Sequence, residues 1–486
     1  MSRRATSLLL AAGLLAGACG GDPLIGLSAS TVPAQPPATS ADGPAGIDSP
    51  ATTPSAPTPQ STSSTTTTTE APTTTAPPAP LTLDEVIAAT VADLEAYWEE
   101  RLPGAYGAEY TPVSATVPYF PSTGDLPVCG AEQLTGQIAA DNAFYCRPDD
   151  YVAWDAEGLL PDLYTEFGDF GVALVLAHEW GHVVQQRAGV RGATIMTELQ
   201  ADCFAGAWTA AVAEGSRPPL RLAPGDLEEA MAGYLLFRDP PGTSVADPAA
   251  HGSAFDRVNA FQDGFFGGVG ECVPYEEGDY TAVDIPLTVN DLQTGGDLPY
   301  DDVPALIIPA LEAYWEATYP SLFGSAWDPV DASGPYFPSS GDLPACESAG
   351  PIGPAGTAFY CPDGDYVAWD GERSFPELYQ SIGDFALGMV LAHEWSTAAQ
   401  WRAGLAIDGV AAELQADCLA GAWSGALAFP QNPFDVTLSA GDLDEGVAGF
   451  LAVSEESGSS GTAFERFDAF EDGFFNGPEV CLGPGS

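Results

Sequence analysis

The sequence has very few basic residues and no lysine. Its 486 residues include 68 acidic and 13 basic side chains, which give a formal net charge of −55. This charge argues against binding of nucleic acid or of anionic lipid by the globular part of the chain, because phosphate groups would be repelled. High solubility or adaptation to salt would explain the charge as well as an acidic binding surface would, so the charge does not define a partner.

The N-terminal apolar run, residues 8–16, is too short to cross a bilayer as a helix. Two arginines precede it and it leads into Cys19, a pattern that predicts a cleaved export signal over residues 1–18. The segment resembles a bacterial lipoprotein signal, in which Cys19 becomes the lipidated first residue and the only contact with the membrane. Cleavage after Ala18 without lipidation is the alternative. The mature protein is expected on the extracytoplasmic face of the cell membrane in the first case and secreted in the second.

Residues 19–81 consist mainly of Pro, Thr, Ser and Ala. Such a composition cannot bury enough apolar surface to fold, and it predicts a disordered tether.

Beyond the tether, the sequence repeats itself in order. The clearest repeats are PYFPSTGDLPVC (118–129) with PYFPSSGDLPAC (335–346), AFYC (143–146 and 358–361) and ELQADC (198–203 and 413–418). We therefore predict two tandem copies of one domain, called here the first half (residues 82–280) and the second half (residues 286–486).

Apart from Cys19, the cysteines number four in each half and stand at matching positions. In an exported protein this even count predicts two disulfides per half, and four cysteines allow three connectivities. A structural zinc site is disfavoured because no C-x-x-C pair is present. The pairing in which the first disulfide closes a short loop is favoured: Cys129–Cys146, Cys203–Cys272, Cys346–Cys361 and Cys418–Cys481.

Each half is expected to be mainly helical. Apolar residues recur at helical spacing after residue 82, and further helices are expected at 168–188, 194–214 and 224–237. The segment at 150–155, DYVAWD, is the best strand candidate. We predict a helix-rich α+β fold with a small sheet beside the helix of residues 168–188.

That helix carries the sequence H-E-x-x-H, from His178 to His182. A spacing of four places both imidazoles on one helical face, where they can bind a single metal ion, and Glu179 can act as general base on water. A catalytic zinc requires a third protein ligand. Glu198 on the following helix would provide it, and Asp202, one turn later, would orient a ligand histidine by a hydrogen bond.

The segments LAHEWGHVVQ, ELQADCFAGAW and HGSAFDRVNAFQDGF resemble the bacterial family of neutral zinc metallopeptidases, which is of the zincin type. The resemblance implies a zincin-like domain, present twice here, that hydrolyses peptide bonds of a protein or peptide substrate. It implies His178, His182 and Glu198 as zinc ligands and Glu179 as the catalytic base.

His251 is a second candidate catalytic residue of the first half. It could stabilise the oxyanion of the tetrahedral intermediate, or it could cap the helix that follows. Tyr145 and Tyr151 are weaker candidates for the oxyanion donor.

The second half departs from this pattern at LAHEWSTAAQ, residues 391–400. Thr397 stands where His182 would bind zinc, although His393, Glu394, Glu413 and Asp417 remain. Because threonine is a poor zinc ligand, we expect one zinc ion, in the first half, and a catalytically inactive second half. A rearranged site with a different ligand is the alternative.

Two functions are compatible with these patterns. One is an exported, membrane-anchored zinc endopeptidase that acts through the first half. The other is a non-catalytic scaffold or binding lipoprotein of the cell envelope that retains the zincin fold. The complete set of candidate residues in the first half favours the enzyme, since a structural domain would not need it.

Overall fold

The computed structural model describes residues 80–278, 280–341, 343–346, 357–428, 433–434, 436–454 and 460–483. The expected signal peptide, Cys19 and almost all of the expected tether lie outside the described residues. The described residues from Leu81 onward belong to one compact unit, which is helix-rich with two small mixed sheets and a two-stranded hairpin. Among the described residues, no helix is both long enough and apolar enough to cross a membrane.

The first half begins with a long helix and continues with short strands and six further α-helices that the structure describes. In chain order its elements are α1 (Leu83–Tyr106), β1 (Ala115–Tyr119), β2 (Val128–Cys129), β3 (Glu132–Gln133), α2 (Gly136–Ala139), β4 (Ala143–Cys146), β5 (Tyr151–Asp155), α3 (Leu159–Ala188), α4 (Thr194–Ala213), α5 (Asp226–Phe237), α6 (Ala254–Gly267) and α7 (Val269–Cys272).

The second half has a similar order of elements. They are α8 (Asp291–Thr294), α9 (Asp302–Phe323), β6 (Asp331–Ala332), β7 (Ala358–Cys361), β8 (Tyr366–Trp369), α10 (Ser374–Ser381), α11 (Asp384–Arg402), α12 (Val410–Ala428), α13 (Asp442–Val453) and α14 (Ala463–Asn476).

Local sequence explains where the main helices begin and end. Thr82 and Glu85 form a reciprocal capping box at the start of α1, and Gly107 ends that helix in the left-handed conformation. Helix α3 is broken by Gly168, whose backbone is not helical (φ 69°). The part of α3 after this break is the helix expected at 168–188, and α4 and α5 agree with the other two expected helices.

The sheet of the first half has the strand order β1-β5-β4, with β1 parallel and β4 antiparallel to β5. The central strand β5 is the one expected from the sequence, and both β4 and β5 pack against α3. The other two strands give weak sequence signals. Strand β1 is mostly exposed and contains Pro118, and β4 has only four residues.

Two glycines bring α4 and α6 into close contact. A Cβ atom added to Gly206 would lie 1.9 Å from the carbonyl oxygen of Phe261, and one added to Gly264 would lie 1.8 Å from that of Cys203. Since no other residue fits at this distance, the two glycines fix how the side chains of α6 approach those of α4.

The described cysteines form four disulfides in the favoured pairing: Cys129–Cys146, Cys203–Cys272, Cys346–Cys361 and Cys418–Cys481. Cys203 directly follows Asp202, so the second of these bonds ties the site-bearing part of α4 to α7.

Candidate metal centre

Three side chains of the first half converge at the contact between α3 and α4. His178 and His182 lie one turn apart on α3, and Glu198 lies on α4. Oε2 of Glu198 is 3.2 Å from Nε2 of His178 and 3.4 Å from Nε2 of His182. Among the described residues, this is a group whose ligand atoms all lie within 4.8 Å of one another.

These distances fit a zinc ion. Ligand atoms about 2.0–2.1 Å from tetrahedral zinc are about 3.3 Å from one another. Oε2 of Glu198 is buried, and apart from these two imidazole nitrogens it has no hydrogen-bond partner among the described residues. A buried carboxylate oxygen is stable only with a partner, and a cation bound to all three side chains would provide one.

The electrostatic surroundings keep Glu198 in the form that binds a metal. Burial opposes its ionisation, but the two neighbouring imidazoles lower its pKa well below the ordinary value. A metal ligand must be deprotonated, so the carboxylate is ready to bind a cation at neutral pH.

Asp202 contacts the ring nitrogen of His178 that faces away from Glu198 and thereby orients the ring. Its Oδ1 is 2.6 Å from Nδ1 of His178, which leaves Nε2 directed toward Glu198. The guanidinium of Arg257 donates two hydrogen bonds to Asp202, of 2.8 and 3.0 Å. Although burial opposes ionisation, Arg257 and His178 lower the pKa of Asp202, so this fully buried carboxylate is charged.

Gln185 has the corresponding role for the second histidine. Its Oε1 is 3.0 Å from Nδ1 of His182, and its Nε2 donates a hydrogen bond to the carbonyl oxygen of Thr197. Both imidazoles are therefore fixed through Nδ1, as is usual for zinc-binding histidines.

Glu179 is almost fully buried, with 1% of its surface exposed, and lies within the charged surroundings of the two histidines. Burial opposes protonation of His182, but the charges of Glu198 and Glu179 raise its pKa. The charge of Glu179 therefore acts directly on the candidate ligand His182.

His251 is held by Asp239. The backbone N–H of His251 donates to Oδ2 of Asp239 at 2.7 Å, and Nδ1 of its ring is 3.4 Å from Oδ1. Burial opposes protonation, but the hydrogen bond to Asp239 and the charge of Glu198 raise the pKa of His251. The His251 ring is thus held by Asp239 and lies within the electrostatic influence of the candidate ligand Glu198.

The alternative role of His251 as a helix cap is wrong, because Ser253 caps α6 by accepting a hydrogen bond from the backbone N–H of Asp256. The hydroxyls of the two tyrosine candidates donate hydrogen bonds to other groups. Tyr145 donates to Asp150, and Tyr151 donates to the carbonyl oxygen of Val128.

The corresponding place in the second half contains an ion-pair network. Nε2 of His393 is 3.3 Å from Glu413, its Nδ1 is 2.7 Å from Asp417, and Arg466 donates two hydrogen bonds to Asp417. The hydroxyl of Thr397 donates to the carbonyl oxygen of His393, one turn earlier, and is therefore engaged within its own helix.

A proton can take the place of a metal ion in this network. Burial opposes protonation of His393, but Asp417 and Glu413 raise its pKa to about 10. The imidazole is therefore a cation at neutral pH, and it neutralises the carboxylates that face it.

Sequence reasoning missed the contributions of Arg257 and Gln185 to the site. It also missed the close approach of Gly181 to Ala201 on the next helix. Arg257 follows Asp202 by 55 residues, and no helical or strand period relates the two. A signal was present, however, because the repeated sequences AFDRVNAF and AFERFDAF retain this arginine in both halves as Arg257 and Arg466.

An H-E-x-x-H helix with a carboxylate on the next helix and a buried aspartate behind one histidine is an arrangement typical of zinc sites. Residues 45–273 match the family model described as "Putative neutral zinc metallopeptidase".

Two curated relatives are bacterial proteins named as uncharacterized. YpfJ of Escherichia coli K12 is 32% identical over 164 residues, which cover 29% of this chain and 54% of the relative. Rv2575 of Mycobacterium tuberculosis is 30% identical over 206 residues, which cover 37% of this chain and 66% of the relative. The chain thus spans about half the length of the first relative. No solved structure matches the chain.

Proposed function

We propose that this protein is an exported, membrane-anchored zinc endopeptidase that hydrolyses peptide bonds of proteins or peptides through its first half. The observation that carries the proposal is the convergence of His178, His182 and Glu198, with the buried Glu179 beside them. The match to a zinc metallopeptidase family over residues 45–273 supports the same class of reaction.

The ligands His178, His182 and Glu198 would hold Zn²⁺, which would polarise the scissile carbonyl and lower the pKa of water. Glu179 would accept the proton of the attacking water and pass it to the leaving amine. His251 would donate a hydrogen bond to the developing oxyanion, and Asp239 would hold its ring in place.

The second half would be an inactive copy of the same domain. Its Thr397 hydroxyl donates a hydrogen bond to a backbone carbonyl oxygen. Its one histidine, His393, is a cation that two carboxylates contact. A protonated imidazole cannot bind a metal, so zinc would have to displace the proton as well as bind with one ligand fewer.

Substitution of the general base tests the enzymatic proposal. Glu179→Gln keeps the size of the side chain but removes the base, so cleavage of fluorescently labelled, denatured casein should fall about 10²–10⁴-fold while zinc remains bound. The matched control is Glu394→Gln, the same change at the corresponding position of the second half, which should leave cleavage unchanged. A zinc-loaded wild-type protein that cleaves no protein or peptide would favour the scaffold alternative.

Export and anchoring are supported by the pattern of residues 1–18 and by Cys19. If Cys19 is lipidated, the protein should fractionate with membranes, and Cys19→Ser should move it to the soluble fraction outside the cytoplasm. Equal membrane association of the two forms would contradict anchoring through Cys19.

A further inference from the structure

A second cluster of metal-binding groups lies in the second half, away from the zinc site. One carboxylate oxygen from each of Asp297, Asp384 and Glu445 lies within 4.8 Å of the others. Asp384 is the first residue of α11, Glu445 lies in the first turn of α13, and Asp297 belongs to the loop between α8 and α9. Three separate segments therefore meet through their acidic side chains.

A fourth carboxylate, that of Asp442, adjoins this group. Only 6% of the surface of Asp384 and of Asp442 is exposed, and Oδ1 of each makes no hydrogen bond with any described residue. None of the four carboxylates has an ion pair with a basic side chain in the part of the chain that the structure describes. Buried carboxylates are stable only with a partner, and these have only one another and a few backbone N–H groups.

The backbone at Gly383 and Phe385 leaves space for the Glu445 carboxylate and donates a hydrogen bond to it. The N–H of Phe385 donates to Oε2 of Glu445 at 2.9 Å, and Gly383, with φ 146°, lies directly beneath this carboxylate. A Cβ atom on Gly383 would lie 2.2 Å from the Glu445 carboxylate, so the glycine is required where the cluster forms.

The charges of the cluster act strongly on one another. Burial, followed by the neighbouring carboxylates Asp442, Asp384 and Asp297, raises the pKa of Glu445 to about 10. Burial, with the charge of Asp297, raises the pKa of Asp384 to about 6. Such repulsion disappears when a cation binds between the carboxylates.

We propose that Asp297, Asp384, Asp442 and Glu445 bind a Ca²⁺ ion that ties the loop between α8 and α9 to the helices α11 and α13. Calcium is bound by six to eight oxygens at about 2.3–2.6 Å, so oxygens on opposite sides of the ion are about 4.8 Å apart. The oxygens of Asp297, Asp384 and Glu445, which lie within 4.8 Å of one another, are therefore close enough to bind one such ion. Magnesium is disfavoured, because it usually retains several waters and binds only one or two carboxylates.

The first half provides an internal comparison. Asp169, Asp226 and Glu229 stand at the positions of Asp384, Asp442 and Glu445, but no acidic residue stands at the position of Asp297. Tyr164 donates to the carbonyl oxygen of Leu81 as Tyr379 donates to that of Leu298, so Pro80 takes the place of Asp297. Within the described residues, Asp169, Asp226 and Glu229 do not form a metal-binding group.

The test is a calcium titration of the purified full chain in calcium-free buffer with zinc present. One Ca²⁺ per chain should bind with a dissociation constant of about 1 mM or lower, raising the temperature of thermal unfolding. Equal concentrations of Mg²⁺ should have a smaller effect. Because the site lies outside the zinc centre, this result does not depend on peptidase activity.

Asp384→Asn and Asp297→Asn should weaken calcium binding at least tenfold. Asp169→Asn, the matched change in the first half, should bind calcium as the wild type does. Asp297 lies in a loop and is half-buried, so its variant provides the test if Asp384→Asn fails to fold. The proposal is overturned if the wild type binds no calcium up to about 10 mM, or if both Asn variants bind calcium as tightly as the wild type does.

Discussion

At the scale of single residues, each half has a buried aspartate and an arginine at corresponding positions. In each half this pair supports a histidine, but the neighbours of that histidine differ. In the first half Arg257 and Asp202 support a histidine that faces Glu198 and a second imidazole. In the second half Arg466 and Asp417 support His393, which faces a carboxylate alone. The loss of one histidine therefore changes a site suited to a metal ion into one suited to a proton.

The ionisation of His393 gives a pH-dependent prediction. Its pKa is about 10 in the folded protein and about 6.5 in the unfolded chain, so its contribution to stability is fully present below pH 6.5 and is lost as the pH rises to 10. A hydrogen bond to a charged group contributes about 1.5–3 kcal/mol to the free energy of unfolding. The expected result is an NMR titration of the His393 ring with a midpoint near pH 10.

The control is His393→Gln, whose free energy of unfolding should lack this loss between pH 6.5 and 10. Acidic partners face His393 from its own helix, in Glu394, and from α12, in Glu413 and Asp417. An NMR midpoint below pH 7 would show that these carboxylates do not hold the proton.

The sequence predicts those residues of the site that follow a local period. His178, Glu179 and His182 lie within one helical turn, and Glu198 and Asp202 are one turn apart on the next helix, so spacing alone groups them. Arg257 and Asp239 come from distant segments, and only the packing of α6 against α4 brings the arginine to Asp202. Spacing carries no information about such contacts.

At the scale of elements, the position of α3 against α4 depends on Gly181. A Cβ atom at this position would lie 2.7 Å from Cα and 2.8 Å from Cβ of Ala201. Glu198 and Asp202 flank this contact on α4, so the distance between the helices sets the distance between the ligands. In the second half Ser396 stands at this position, and its hydroxyl donates to the carbonyl oxygen of Ala392.

Gly181→Ala should therefore force the two helices apart. We expect a loss of about 1–3 kcal/mol in the free energy of unfolding, as for other overpacked cores, together with zinc binding at least tenfold weaker. Both effects can be measured, by denaturant unfolding and by competition with a zinc chelator of known affinity.

The matched control is Gly233→Ala in α5, where the nearest atom to an added Cβ lies at 3.7 Å. There alanine should be neutral or should stabilise by up to about 1 kcal/mol, because it favours the helix. Equal zinc affinity in Gly181→Ala and in the wild type would show that this contact does not set the ligand geometry.

The long helices could be predicted from their apolar periodicity and from the residues at their ends, and so could the buried strand β5, but the other short strands could not. Strand β5 is buried along its whole length and rich in Val, Tyr and Trp, whereas β1 is mostly exposed. An exposed strand gives no alternation of apolar and polar residues, since it is fixed by its hydrogen bonds to β5.

At the scale of the whole molecule, the second half packs on the helix that carries Arg257. Phe255, on α6, is fully buried, and its ring lies 5.0–5.8 Å from those of Phe467, Phe474 and Phe475 on α14. Gln262 of the same helix donates to the carbonyl oxygen of Phe464. The second half thus supports the first at a point two residues from the arginine that holds Asp202.

The contact between α6 and α14 could not be predicted from the sequence, for a physical reason. The repeated segments of α6 and α14 both present apolar faces rich in phenylalanine. Periodicity predicts that each face is buried, but it does not identify the surface that covers it.

The central claim is that the first half alone binds zinc, and a metal count of the purified protein tests it most directly. Mass spectrometry of the metal content should give one zinc per chain for the wild type. His182→Thr, which gives the first half the residue found in the second, should give none, and Thr397→Val should still give one. Two zinc ions in the wild type, or one retained by His182→Thr, would contradict the account.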